Sequence, residues 1–140
     1  MSEYSQELND IAFLALDHGV SIIEKNQGPL IPFAIVNEKS GEKKLEAFAI
    51  EPTGEGLNYA KKHIDENAAN IERYAIAWDG YVTIEGTKWD AIFVEAGETL
   101  SEDGYIMAQR YEKQGFLKKR QKPIGNPLIV EEIKSRVSNP

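Results

Sequence analysis

Hydrophobic positions near the start of the chain recur at helical spacing. Leu8, Ile11, Ala12 and Ala15 fall on one stripe, and Phe13, Leu14 and Leu16 widen it. The pattern predicts a helix over residues 3–18. Ser2 or Ser5 can accept its free amide hydrogens, and Glu3 and Glu7 suit the positive end of its dipole. Gly19 follows where a left-handed cap is wanted, which puts His18 in the last turn.

The period then shortens to two. GPLIPFAIV (28–36) reads as a strand, but Pro29 and Pro32 donate no ladder hydrogen bonds. That places it at a sheet edge or starts it after Pro32. NEKSGEKK (37–44) is a polar turn, and KLEAFAIE (44–51) returns as a second strand. EPTGEG breaks the chain. Thr53 can cap a second helix to about residue 69, with Leu57, Ala60 and Ile64 on one stripe.

WDGYVTIEGTKWD (78–90) lies within IERYAIAWDGYVTIEGTKWDAIFVEAGE (71–98) and poses a choice between paired catalytic acids, a repeat and a hairpin. A two-residue turn at Glu85-Gly86 favours the hairpin. Residues then pair so that Val82 faces Trp89, Tyr81 faces Asp90 and Trp78 faces Phe93. Alternation puts Tyr74, Ile76, Trp78, Val82, Ile84, Trp89, Ala91 and Phe93 on one face. Ala75, Ala77, Asp79, Tyr81, Thr83, Lys88, Asp90, Ile92 and Val94 take the other. Asp79-Gly80 is a pair at which a bulge can break this register, and Glu95 on the apolar face marks where the pattern stops. The Trp-Asp pairs are too close for the roughly 40-residue period of WD repeats, and no second copy exists.

After the loop GETLSEDG (97–104), YIMAQRYE (105–112) is a fifth strand. The expected fold is α+β in the order α-β-β-α-β-β-β. A five-stranded, mostly antiparallel sheet would carry two helices on one face, over the aromatic side of the third hairpin. Residues 1–140 make one domain. Residues 113–140 form an extended basic C-terminal segment, with Leu128, Ile129 and Val130 able to dock on the body.

Composition narrows the chemistry. The chain has no cysteine, which removes disulfides, thiolate nucleophiles and cysteine-ligated metals. No apolar run reaches the roughly 20 residues of a membrane span, and the acidic start is no signal peptide. A cytoplasmic protein with no membrane partner is expected. The net charge of −7 is uneven: residues 1–109 hold 8 Lys+Arg against 20 Asp+Glu, and residues 110–140 hold 8 against 3. An acidic body repels phosphate backbones, so no nucleic-acid partner is expected. Lys118, Lys119, Arg120 and Lys122 read as a solvated loop resting on that body.

The catalytic motifs of hydrolases, P-loops, dinucleotide folds and zincins are missing. GEG (54–56) lacks the lysine and length of a phosphate loop and reads as a helix-entry turn. His18 and His63 stand alone, with no partner at metal-ligand spacing, so no metal, cofactor or catalytic residue is assigned. Asp79, Tyr81 and Asp90 share a sheet face and are the candidate ligand site, set against a plain solvated strand face. Glu51 and Glu95 at strand ends are a weaker pair. Trp78, Trp89, Tyr74 and Phe93 could line a stacking wall, but such a face more often forms core.

The runs PLIPFAIV, RYAIAWDGYVTIEG and DAIFVEAGE, with YIMAQRY before IGNP, resemble a family of small bacterial proteins with no known activity. That resemblance carries over no functional residue. The element order resembles the roadblock and longin type of profilin-like module, which implies a dimerising or scaffolding platform. The leading expectation is a non-enzymatic protein-binding module that pairs with itself and with a further protein. Its interface would be the small-residue patch Ala75, Ala77, Ile92 and Val94. The rivals are a small-ligand binder or enzyme with an unrecognised carboxylate site, and an acidic immunity or antitoxin-like protein masking a basic partner.

Overall fold

Ser5 starts the first helix. In a computed structural model of the chain, its hydroxyl oxygen accepts from the Leu8 amide at 3.0 Å, the N-cap geometry expected there. The structure describes residues 4–26, 30–49, 55–114 and 120–138. The caps considered at Ser2 and Thr53 lie outside these residues.

The first helix, α1 (Gln6–Asn26), runs straight through Gly19 instead of ending there. A Cβ on Gly19 would sit 3.3 Å from both Ile92 and Leu30, so glycine allows the helix to approach the sheet. Ile23, one turn further on, is buried, and that burial extends the helix past its expected end. β1 (Phe33–Glu38) begins after Pro32, as the proline demands. β2 (Lys43–Ala47) follows the Gly41 turn, and α2 (Glu55–Asn67) follows β2. A short 3-10 turn (Ala68–Asn70) leads into β3 (Ile71–Ile84), β4 (Thr87–Glu98), β5 (Asp103–Gln114) and β6 (Arg120–Lys134).

The architecture is α+β with six antiparallel strands in the order β2-β1-β3-β4-β5-β6. The extra strand comes from the segment expected to be an extension. Arg120–Lys134 pairs with β5, with register shifts between Ile106 and Met107 and between Ala108 and Arg110. Pro123, Gly125 and Pro127 interrupt its alternation, so no period-two signal announces it. Leu128, Ile129 and Val130 remain exposed on this edge strand and do not dock under the body.

β1 is internal, between β2 and β3, and not at the edge. The two helices lie on opposite faces of the sheet, which corrects the expectation of both on one side. Ala75 and Ala77 of β3, with Ile92, Val94 and Ala96 of β4, pack into one core with Leu8, Ile11, Ala12 and Ala15 of α1. Tyr74 and Ile76 pack into a second core with Ala60 and Ile64 of α2. In β1 the four residues Phe33–Val36 are all buried, two toward each helix, which is how a strand covered on both faces reads.

Candidate functional site

The hairpin register brings the three candidate residues to one end of the α1-side face, beyond the helix. Glu85 and Gly86 take φ of 49° and 80°, the left-handed pair that a two-residue turn needs. Pairing then runs unbroken from Ile84↔Thr87 to Arg73↔Glu98, so no bulge interrupts Asp79-Gly80. Tyr81 faces Asp90, and Asp90 faces Tyr111 of β5 on its other side.

These residues meet, but Asp79 is already occupied. One of its oxygens accepts from the Tyr111 hydroxyl at 2.7 Å and the other from the Leu30 amide at 3.0 Å. The carboxylate ties the segment before β1 to β3 and β5. Tyr81 is 63% exposed with the Lys88 ammonium 4.2 Å above its ring, and Asp90 is exposed. Burial first, then the hydrogen bond and charge of Asp79, with Asp90 and Tyr81 behind them, push the Tyr111 pKa well above the ordinary tyrosine value. Tyr111 joins the cluster from 32 residues away, and no local pattern points to it.

The four expected interface residues occupy a different place. Ala75, Ala77, Ile92 and Val94 are fully buried beneath α1. They form core, and a second copy cannot reach them. α1 covers them, and Leu128, Ile129 and Val130, which the sequence allowed to dock on the body, take no part in that cover.

Glu95 is the residue whose role the sequence obscured. It sits 2% exposed on the α2 side, where it looked like the end of the apolar pattern. Its Oε2 accepts from the Tyr74 hydroxyl at 2.7 Å and from Arg136 Nε at 2.7 Å. Arg136 also donates to both oxygens of Asp65 on α2, at 3.2 and 3.0 Å. Burial opposes the arginine charge, yet the hydrogen bonds and charges of Glu95 and Asp65 outweigh it and raise its pKa. Glu98, also buried, accepts twice from the Ser5 hydroxyl, at 2.8 and 2.9 Å. Glu51 lies outside the described residues.

Buried tyrosines give the fold a pH signature. Burial, aided by the Glu98 charge, pushes Tyr105 from 10.0 up to about 12. Its hydroxyl donates to Asn9 at 2.8 Å. A pKa raised by folding contributes stability that is complete below the unfolded value and lost as pH rises through the folded one. The midpoint of urea unfolding should therefore fall as pH rises from 10.0 toward about 12. Tyr105→Phe, which cannot ionise, should make that fall shallower, with Tyr74 and Tyr111, also raised by burial, supplying the remainder. An equally steep decline in the variant would remove Tyr105 as a cause.

α2 packs mainly on β1 and the first half of β3, so the α2-side face beyond Trp78, across the turn end of β3–β4 and onto β5 and β6, is less covered. Trp78 and Phe93 stack there with ring centroids 5.6 Å apart and planes 10° apart. Trp89 is half-buried under the Arg110 guanidinium, 4.9 Å from its ring centre, and the Lys61 ammonium lies 5.7 Å from Trp78. These aromatics had been expected as helix-covered core. Only Tyr74, nearest α2, is fully buried. Leu128 continues the surface at 47% exposure, paired with Ala108.

The histidines do not converge on a site. The ring of His18 packs edge-on against Phe33, and that of His63 packs beside Phe48. Among the described residues, no three His, Asp or Glu side chains gather as metal ligands would. No described helix is long and apolar enough to cross a membrane. Lys122 rests 3.9 Å from Glu24, while Lys118, Lys119 and the Arg120 side chain lie outside the described residues. A cleft of about 300 Å³ on the α2 side holds groups that already have partners, with the Lys44 ammonium 3.3 Å from Glu38 and the His63 ring nitrogen 3.9 Å from Glu46. Gly56, from the GEG turn, opens α2 where a Cβ would stand 2.4 Å from the Phe48 carbonyl oxygen, so close approach explains that glycine.

What these features define is an antiparallel α+β sheet, helix-covered on both faces at one end and bare on one face at the other. No family model matches the chain, and no curated protein or solved structure matches it. The likeness to roadblock and longin modules therefore rests on element order alone.

Proposed function

We propose that the chain is a non-enzymatic binding module that associates with a second copy of itself through the less covered α2-side face of β3–β6. The observation that carries this reading is the partly exposed aromatic and aliphatic surface of Phe93, Trp89, Ile106 and Leu128, which continues beyond Trp78 at the margin of α2. A contiguous apolar face of this kind marks an association surface. Aromatic residues and arginine are the side chains that most often anchor such contacts.

Charge favours a second copy over a basic or acidic stranger. By strand alternation the same face carries both signs, Arg110 with Glu112 and Glu131. Two copies can meet across a two-fold axis without setting like against like, although the whole chain carries −7. The acids that might have served catalysis are committed to structure instead. Asp79, Glu95 and Glu98 each accept hydrogen bonds that join separate elements.

Solution mass tests the reading. At about 100 μM, well above the micromolar range of weak specific association, the protein should sediment as a dimer. Phe93→Glu and Leu128→Glu should give folded monomers, because both side chains are partly exposed within the chain itself. A monomeric unmutated protein at that concentration would defeat self-association. Dimers that survive both substitutions would move the interface elsewhere.

A further inference from the structure

A second cleft, of about 340 Å³, opens on the α1 side between that helix and β1–β2. It lies on the opposite face from the proposed association surface, so the two readings stand or fall separately. Its floor is the cross-strand pair Asn37 and Arg73, directly opposed on β1 and β3. Its rim has two unlike sides. α1 contributes Glu7 and Asp10, and the sheet contributes Lys43 beside Arg73.

Three observations single the cleft out. Arg73 Nε and Asn37 Oδ1 are buried and have no hydrogen-bond partner, the only two such side-chain atoms among the described residues. Buried polar atoms in native proteins are nearly always paired, and an exception is met by a water, an ion or a ligand. Next, two acids face two bases across a gap, and no ion pair links them among the described residues. On the α2 side, by contrast, Lys44 pairs directly with Glu38 at 3.3 Å. Finally, the β1–β3 register shifts between Asn37 and Glu38. An irregularity of that kind re-aims a side chain and often borders a binding site.

We infer that this cleft binds a small zwitterion, an α-amino acid with an apolar side chain. The floor offers one donor and one acceptor on adjacent strands. Residues directly opposed across an antiparallel pair carry their side chains side by side on one face, so a single small ligand can meet both. The ligand carboxylate accepts from Arg73, whose guanidinium geometry matches it, with Lys43 adding charge. The ammonium donates to Asn37 Oδ1 and faces Asp10 and Glu7. The ligand side chain lies along Ile11 and Leu14, the apolar part of the wall. The four charges of the lining cancel, which suits a ligand of no net charge better than an anion or a cation. The cleft volume falls within the range of small-molecule sites.

The test screens the twenty proteinogenic L-amino acids singly by thermal shift, then titrates each hit by NMR. At least one apolar amino acid should bind with Kd below about 1 mM. Its amide, which lacks the carboxylate, and its N-acetyl derivative, which lacks the ammonium, should each bind at least about tenfold more weakly. Arg73→Met should stay folded, since its Nε has no partner to strand and methionine keeps the apolar stem, and should weaken binding by at least about tenfold. Asp10→Asn should weaken it less. Shifts on titration should centre on Asn37 and Arg73. The inference fails if no amino acid binds saturably in that range. It fails equally if the capped derivatives bind as well as the free amino acid, or if the shifts map to another face.

Discussion

Ile92→Glu should unfold the protein. Ile92 is fully buried in the core under α1, and the helix passes so close that a Cβ on Gly19 would touch its Cγ2 at 3.3 Å. The new carboxylate would have no partner there and no room to reach water. An unpaired buried charge costs several kcal/mol after relaxation, and the cavity contacts of isoleucine are lost with it. That is a large part of the roughly 5–15 kcal/mol by which domains are stable. Ala77→Arg should do the same, because Ala77 is also fully buried in that core. Far-ultraviolet circular dichroism and urea melts at low protein concentration check both. A folded Ile92→Glu protein with a near-native midpoint would mean that α1 does not cover this face, and the patch would again be open to a partner.

Arg136→Met should cost about 3–5 kcal/mol, the range for removing one partner of a buried ion pair. Arg136 lies past the end of β6 and joins three parts of the chain. It reaches Glu95 on β4 at 2.7 Å and Asp65 on α2 at 3.0 Å, and its amide lies 3.4 Å from the Tyr74 hydroxyl. Without it, Glu95 keeps only the Tyr74 hydroxyl in a nearly dry site. The double substitution Arg136→Met with Glu95→Leu should recover much of the loss, because removing both charges leaves nothing stranded. Chemical denaturation of the single and double variants decides this. A single-variant loss below about 1 kcal/mol, the level of ordinary surface changes, would show that the pair is solvent-screened. A double variant less stable than the single one would show that Glu95 matters for some other contact.

Local chemistry made some of this legible in the chain itself. The Glu85-Gly86 turn needs two left-handed residues, and alternation on either side of it leaves one consistent register, which holds from Ile84↔Thr87 to Arg73↔Glu98. Turn geometry and period-two burial act between near neighbours, so they show in a short window. The same holds for Ser5 as a cap, for β1 starting after Pro32, and for the wet turn end that carries Tyr81 and Asp90.

Contacts between distant segments decided the rest. Gly19 has the local look of a helix stop, yet packing of Ile23 carries α1 seven residues beyond it, to Asn26. Each helix has an apolar stripe, but a stripe does not say which face of a two-sided sheet it will cover. Both faces of β1 and β3 are apolar, so the choice fell to close packing of small residues under α1 and of Tyr74 and Ile76 under α2. The same choice turned an imagined interface into core and left the aromatic end of the sheet bare. Asp79 looked like a free acid because its partners, Leu30 and Tyr111, are 49 and 32 residues away. Glu95 looked like a flaw in the pattern because Arg136 is 41 residues off. The chain therefore determined its hairpin register, turns and caps by itself, since those interactions close within a few residues. The covered faces, the anchored acids and the unpaired Arg73–Asn37 floor were set by tertiary structure, because burial and charge pairing depend on what arrives from elsewhere.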